Sequence, residues 1–259
     1  RAGKGLVFDI GGSYGNIKVV NNVIYGLKGH GSSSPSNNSW GIMINSGSLY
    51  EVYYNSIHIS DNRTTTSSTD RHGCIYVASG TSSLYLVNNV FSVTADPGNI
   101  SSGYMYSIYS LAPNTAYTSI NYNDYYASGT RAVLGYIGGS DQSTLASWQT
   151  ATGQDVNSLA SDTDIYSEVD LRPSTSSPLL LAGVNLPGYT VDYLGVSRHA
   201  TTPTIGAYED GVAPPSLDVG ISSIIAPGSG QIVDRSGSDV SAYLKNFGTG
   251  AASGIDVYF

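Results

Sequence analysis

The chain is poor in sulfur and in charge, and each shortage closes off a class of protein. A single cysteine, Cys74, excludes a disulfide framework and a cysteine-built zinc site. Placed in the apolar stretch GCIYVA, it reads as an inert core thiol, because a reactive one needs an electropositive, partly exposed setting. Lys and Arg number only 11 against 19 Asp and Glu, for a net charge of −8. With no basic run, this balance argues against nucleic acid, whose binding depends on phosphate neutralisation, and against a polybasic membrane-surface patch. No stretch is long and apolar enough to insert in a membrane. Charged residues make up 12% of the chain and hydrophobic ones 40%, so neither a disordered acidic tail nor a charged helical bundle fits.

What is present in quantity is Gly (31), Tyr (21), Ser, Thr and Asn, and it is arranged periodically. The segments IKVVNNVIYG (17–26), EVYYNSIHIS (51–60), LYLVNNVFSV (84–93) and SINYNDYYAS (119–128) align on Asn21, Asn55, Asn88 and Asn123, roughly one third of a hundred residues apart. A repeat of that length signals a solenoid, a propeller or an array. Val, Ile, Tyr and Phe flank each Asn in runs too short for helices, so the unit is β. An Asn inside an apolar strand tolerates the left-handed conformation and turns the chain, and stacked amides hydrogen-bond in a ladder. These four Asn are therefore read as a structural ladder at one corner of successive coils. GLVFDI (5–10), GIMINS (41–46), GCIYVA (73–78) and YMYSIYS (104–110) keep the same beat, and three of them open on a Gly suited to close backbone approach. The expected architecture is all-β, a parallel β-helix with coils about 4.8 Å apart.

Three insertions fall at the same point of the repeat, at 29–40, 60–72 and 94–103. Insertions of this kind cluster on one side of a solenoid. They would gather His30, Trp40, Asp61, Arg63, Asp70, Arg71, His72 and Asp96, a mixture of charge and aromatic surface suited to a glycan groove. The plainer reading is a set of solvated Ser/Thr-rich loops. Asn37, Asn62 and Asn99 each begin an N-x-S/T triplet, consistent with exposure. No catalytic set is assigned: Asp9, Lys18, Glu51 and Asp124 are scattered, whereas glycoside hydrolysis needs paired carboxylates. No metal or other cofactor is expected. The acidic stretch 162–170 offers oxygen ligands for Ca²⁺, although a solvated loop is the simpler account. His58, between Ile57 and Ile59, should point away from the core, and His199 lies in a loop.

Beyond the coils, 140–151 is the best helix candidate, capped by Ser143 or Thr144. The succession LASWQTATGQDVNSL, DLRPSTSSPLLLAGVNLP and DYLGVSRHATTPTIGAYE resembles the C-terminal end of secreted bacterial right-handed parallel β-helix proteins of the pectate-lyase-like superfamily. IGAYE (205–209) carries most of that resemblance. It implies a domain over 1–210 with a C-terminal cap over its last coil, an extracellular or cell-surface location, and a polysaccharide lyase or glycoside hydrolase as the alternative function. Gly29-His30-Gly31 matches one short motif of polygalacturonase-like enzymes, without the aspartate motifs that accompany it. After the linker 211–215, residues 216–259 resemble the start of an adhesion-related immunoglobulin-like β-sandwich. Such a sandwich needs about 100 residues and seven strands, so it is expected to continue past Phe259. The chain, which begins at Arg1, is then a piece of a larger protein. The function implied is a structural or adhesive module, with extracellular glycan and other copies of an extracellular assembly as partners.

Overall fold

The computed structural model describes residues 3–11, 15–27, 32–60, 70–94, 103–209, 219–226 and 241–246. The chain divides into two units, Arg1–Gly211 and Val212–Phe259.

The first unit is built from chain circuits laid side by side. The first circuit holds β1 (Lys4–Asp9), β2 (Ile17–Val20) and β3 (Val23–Ile24). The second holds the long β4 (Trp40–Tyr53) and β5 (Ser56–Ile59). The third holds β6 (Arg71–Val77), β7 (Thr81–Val87) and β8 (Val90–Thr94), and the fourth β9 (Tyr104–Ser110), β10 (Tyr117–Asn121) and β11 (Asp124–Ser128). Equivalent strands pair in parallel in three stacks. In the first, β1, the start of β4, β6 and β9 put Leu6 beside Ile42, Ile42 beside Ile75 and Ile75 beside Ile108. In the second, β2, the end of β4, β7 and β10 put Val19 beside Val52, Val52 beside Leu86 and Leu86 beside Ile120. In the third, β3, β5, β8 and β11 put Ile24 beside Ile57, Ile57 beside Phe91 and Phe91 beside Tyr125. β4 belongs to two stacks, so those two form one curled sheet. Like residues fall on like, and Ile42, Ile57, Ile75, Leu86, Phe91, Ile108, Ile120 and Tyr125 are buried in one core with Cys74. Gly at 41 and 73 fits the backbone approach expected of it: a Cβ on Gly73 would lie 1.9 Å from the Tyr106 carbonyl oxygen.

The corner between the second and third stacks corrects the alignment drawn from the sequence. The turn and the ladder are made by neighbouring residues, not by the same one. Asn21, Tyr54, Asn88 and Tyr122 take left-handed backbone, with φ of 56°, 53°, 60° and 55°. The residue after each, Asn22, Asn55, Asn89 and Asn123, carries the ladder. Asn22 Nδ2 donates to Asn55 Oδ1 (2.8 Å), Asn55 Nδ2 to Asn89 Oδ1 (2.9 Å) and Asn89 Nδ2 to Asn123 Oδ1 (3.0 Å). The backbone N–H groups of Asn22, Asn55 and Asn89 donate to the same three oxygens, each at 3.0 Å. The steps are 33, 34 and 34 residues. In the two Asn-Asn doublets the first Asn makes the turn and the second the ladder. Ser158 Oγ closes the series by accepting the Asn123 N–H at 2.8 Å.

The end of the last circuit is closed by β12 (Ala132–Ile137), which pairs with β9, by β13 (Ser140–Gln142) and by α1 (Leu145–Thr152). β13 runs antiparallel to β12, so the expected helix from 140 begins only after Thr144, its N-cap, in a capping box with Ser147. Trp148 of α1 is fully buried over Gly135 and Tyr125. Its Nε1 and the Tyr125 hydroxyl both donate to Asp155 Oδ2 at 2.6 Å. A short hairpin follows, β14 (Ile165–Ser167) with β15 (Asp170–Pro173).

The tail from 177 to 209 does not sit on the last coil, as the resemblance implied. It runs along the side of the first three circuits. Val184 exchanges two bonds with the Asn88 side chain, at 2.7 and 3.0 Å, and accepts the Tyr54 hydroxyl at 2.9 Å. Val191 O accepts Asn21 Nδ2 at 2.9 Å. Arg198 is the latch. It donates to Asn21 Oδ1 at 2.8 Å, lies 3.7 Å over the Tyr54 ring and pairs with Glu209 at 3.2 Å, both side chains being under 5% exposed. Glu209 also accepts the backbone N–H of His199 and of Thr204. IGAYE is thus a docking strip: Gly206 (φ 101°) lies where a Cβ would come 2.6 Å from Ser56 Oγ, and Ala207 N donates to that oxygen. A buried ion pair needs every lone pair and proton satisfied to be neutral or better, and this one nearly achieves it.

In the second unit, β16 (Val219–Ala226) and β17 (Ser241–Asn246) form an antiparallel pair, with Val219 opposite Asn246.

Candidate functional site

Sheet periodicity sends every second side chain of the first stack outward, and on this face the outward row is aromatic. Met43, Tyr76, Tyr109 and Tyr136 are strand neighbours from β4, β6, β9 and β12. The Tyr76 and Tyr109 rings lie 6.2 Å apart and Tyr109 and Tyr136 4.4 Å apart, each pair only 9° from parallel. Trp40 leans on Tyr76 and Tyr109, at 5.4 and 5.7 Å, and its Nε1 donates to Pro35 O at 2.8 Å. Its six-membered ring needs the space left by Gly73, where a Cβ would stand 3.0 Å away. Tyr106 stands edge-on to Tyr109 and donates its hydroxyl to Asp141 Oδ1 at 3.0 Å. Burial pushes the Tyr109 phenol up to about 12 and raises that of Tyr106 further, so both are neutral donors at neutral pH.

The buried stack supports a partly exposed rim. Arg71, Tyr104 and Arg131 are lateral neighbours at the edge of this face, and both guanidiniums approach the Tyr104 ring, at 5.4 and 5.6 Å. All three are half-buried, as is Tyr136, while Asp141 is exposed. Arg71 Nη1 also donates to Asp70 O at 2.9 Å, which orients it. The arrangement offers flat π-surface beside fixed cations, suited to the apolar face of a sugar ring carrying a carboxylate or hydroxyls.

The residues chosen from the sequence fare differently. Arg71 lies on this rim. Trp40, Asp70 and His72 are buried, not exposed as loop residues would be, because the strands begin earlier than the insertions were drawn to end. His72 Nδ1 accepts the Ser39 N–H at 3.2 Å, a bond between circuits. His30, Asp61, Arg63 and Asp96 lie outside the described residues, as do Asn62 and Asn99. Tyr104, Arg131 and Tyr136 were missed. The recurring Tyr at 76, 109 and 136 is the signal in the sequence that marks this face. Cys74 is buried, and burial pushes its thiol up, as an inert core thiol requires.

Among the described residues no group of three His, Cys, Asp or Glu could hold a metal ion. In the acidic stretch, Asp164 accepts the Ser174 and Ser176 hydroxyls, which hold its carboxyl below the usual range, and Asp170 is paired with Arg172 at 2.6 Å. Compared with protein-family models, with curated proteins and with solved structures, the chain has no match. Among the described residues no helix is long and apolar enough to cross a membrane.

Proposed function

We propose that the first unit is a right-handed parallel β-helix serving as a rigid structural or adhesive module of a secreted bacterial surface protein, and that it binds an acidic glycan without cleaving it. Residues 216–259 are read as part of an immunoglobulin-like domain, and the edges of the β16–β17 pair, which no other described strand covers, as a route to further copies in an extracellular assembly. The observation that carries the binding reading is Tyr104 held between Arg71 and Arg131 at the rim of a stacked aromatic face. Parallel stacking of circuits in register supports the fold reading, since each added circuit buries the face of the last.

The test is calorimetric titration of the chain with oligogalacturonate, alongside an assay for new reducing or unsaturated ends. Binding is expected, with no product. The Tyr104→Ala/Arg131→Ala variant should bind at least about tenfold more weakly and remain folded, with an unfolding midpoint lowered only modestly because both side chains are half-exposed. Equal binding by that variant would remove the rim, and product formation would favour the lyase or hydrolase reading.

A further inference from the structure

The outer face of the third stack carries a second, chemically different site. His58, Ser92 and Tyr126 are strand neighbours on β5, β8 and β11 and point away from the core, since Ile57, Ile59, Phe91, Val93 and Tyr125 fill it. The segment from 162 to 168 passes over this row and leaves an open cleft of about 380 Å³. Asp162, Asp164 and Glu168 line it, together with Thr94, Ile165 and Tyr126, and no Lys or Arg does among the described residues.

At the cleft wall, His58 is 5% exposed, and its Nε2 is buried with no hydrogen-bond partner. A ring nitrogen in that position forfeits a bond it would make in water, so a native structure that keeps it calls for an explanation. The other nitrogen, Nδ1, is 2.9 Å from Ser92 Oγ. With Nδ1–H donated to that oxygen, Nε2 presents its lone pair. Burial lowers the affinity of His58 for a proton, which keeps the imidazole neutral. The other groups are also acceptors: Asp162 already takes the Tyr126 hydroxyl on Oδ2 at 3.0 Å and the Asp164 N–H on Oδ1 at 3.1 Å.

We infer that this cleft binds a primary ammonium group on an aliphatic stem, with His58 Nε2, Asp162 and Glu168 as acceptors. Three observations select this chemistry. The site supplies acceptors and negative charge, so its ligand brings N–H donors and positive charge. No group of three His, Cys, Asp or Glu among the described residues could hold a metal ion, which suits an N–H donor better than a bare cation. Ile165 and the Thr94 methyl give the walls apolar surface for a methylene stem. The cleft lies on a different stack from the aromatic rim, so this inference stands independently of the glycan reading.

The experiment follows the His58 ring nitrogens by NMR in the full chain while titrating, in separate arms at constant ionic strength, putrescine, a short lysine peptide and calcium chloride. Saturable movement of the Nε2 resonance with an amine is the expected result. Response to putrescine alone identifies a free amine, and response to the peptide as well or instead identifies a lysine side chain. The Asp162→Asn/Glu168→Gln variant should bind at least about tenfold more weakly, because charge-assisted bonds are lost. Both residues are exposed, so the variant is expected to fold. His58→Phe tests the imidazole itself, and circular dichroism checks its fold. No saturable amine response, a response to calcium alone, or full affinity in the double variant would each overturn the inference.

Discussion

At Asn123 and Asp124 two adjacent buried polar side chains meet opposite fates. Asn123 turns inward into the ladder, where its Oδ1 accepts from Asn89, its Nδ2 donates to Leu86 O and its backbone N–H reaches Ser158. Asp124 turns outward beneath the loop that follows α1. One of its oxygens accepts the Ser161 N–H at 3.0 Å, and the other is buried without a partner. His58, three residues past the ladder position of its own circuit, is in the same state as Asp124. The inner corner is repeated from circuit to circuit, so each amide meets a copy of itself and every bond is made. The outer face meets a non-repeating segment from far along the chain, and there the matching is incomplete. At this corner the saturated amides mark architecture, and the unsaturated His58 and Asp124 mark places where a ligand or a proton can enter.

The sharpest way to break that contrast is to remove one rung. Asn89→Ala would take the acceptor from the Asn55 backbone N–H, one of three acceptors from Asn55 Nδ2, and a donor from Val52 O, Val87 O and Asn123 Oδ1. Each orphaned buried group costs on the order of 1–3 kcal/mol, and with partial relaxation the total should be about 4 kcal/mol. Asn88→Ala, one residue earlier, loses only the two bonds to Val184 and some left-handed tolerance, about 2 kcal/mol. Urea midpoints of the two variants measure the difference. Equal losses would mean that the ladder and the turn are not separate devices.

Asp124 gives an effect of opposite sign that depends on pH. Burial, with a smaller contribution from the Asp162 charge, pushes its carboxyl from 3.8 up to about 7. The folded state then holds this proton more tightly than the unfolded one. Stability from this group is fully present below the unfolded value near 3.8 and declines as pH rises toward 7. Asp124→Asn removes that dependence. At a pH of about 8 the variant should be more stable than the parent by roughly 2–3 kcal/mol, with the gap closing near pH 4. Parallel stability curves across this range would show that Asp124 titrates normally.

The periodic part of the molecule was legible because period-2 strands and a repeat of fixed length leave a local trace. Its register was misread by one residue only at the doublets Asn21-Asn22 and Asn88-Asn89, where either Asn fits the pattern. Tyr54 and Tyr122 hold the turn in the other two circuits, and nothing in a bulky aromatic announces positive φ. The tail was illegible for a different reason. Arg198 meets Asn21 and Tyr189 meets Glu51 across more than a hundred residues, and no local signal encodes such a contact. The candidate rim was half legible: Arg71 stood out as a charge, but Tyr104 and Arg131 acquire meaning only when parallel pairing places them on either side of one another. Trp40 was misjudged because an aromatic at the end of a Ser-rich insertion looks exposed until Gly73 is seen to make room for it.

A smaller effect concerns the other corner, between the first two stacks. Asn16, Leu49 and Ser83 occupy equivalent places in three circuits, each one residue before a pair in register, and all have positive φ, at 45°, 61° and 53°. Asn and Ser tolerate this conformation through short polar side chains, whereas for Leu it costs on the order of 1–2 kcal/mol. Leu49 recovers little of that by burial, being 46% exposed. Leu49→Asn places at the strained position the residue that its neighbour Asn16 already uses, and the loss of a half-exposed apolar side chain offsets only part of the relief. A net gain of about 0.5–1 kcal/mol in urea unfolding is expected. Leu49→Ala keeps the strain and loses the apolar contact, so it should be neutral or slightly destabilising. If Asn and Ala behave alike, left-handed strain is not what limits this corner.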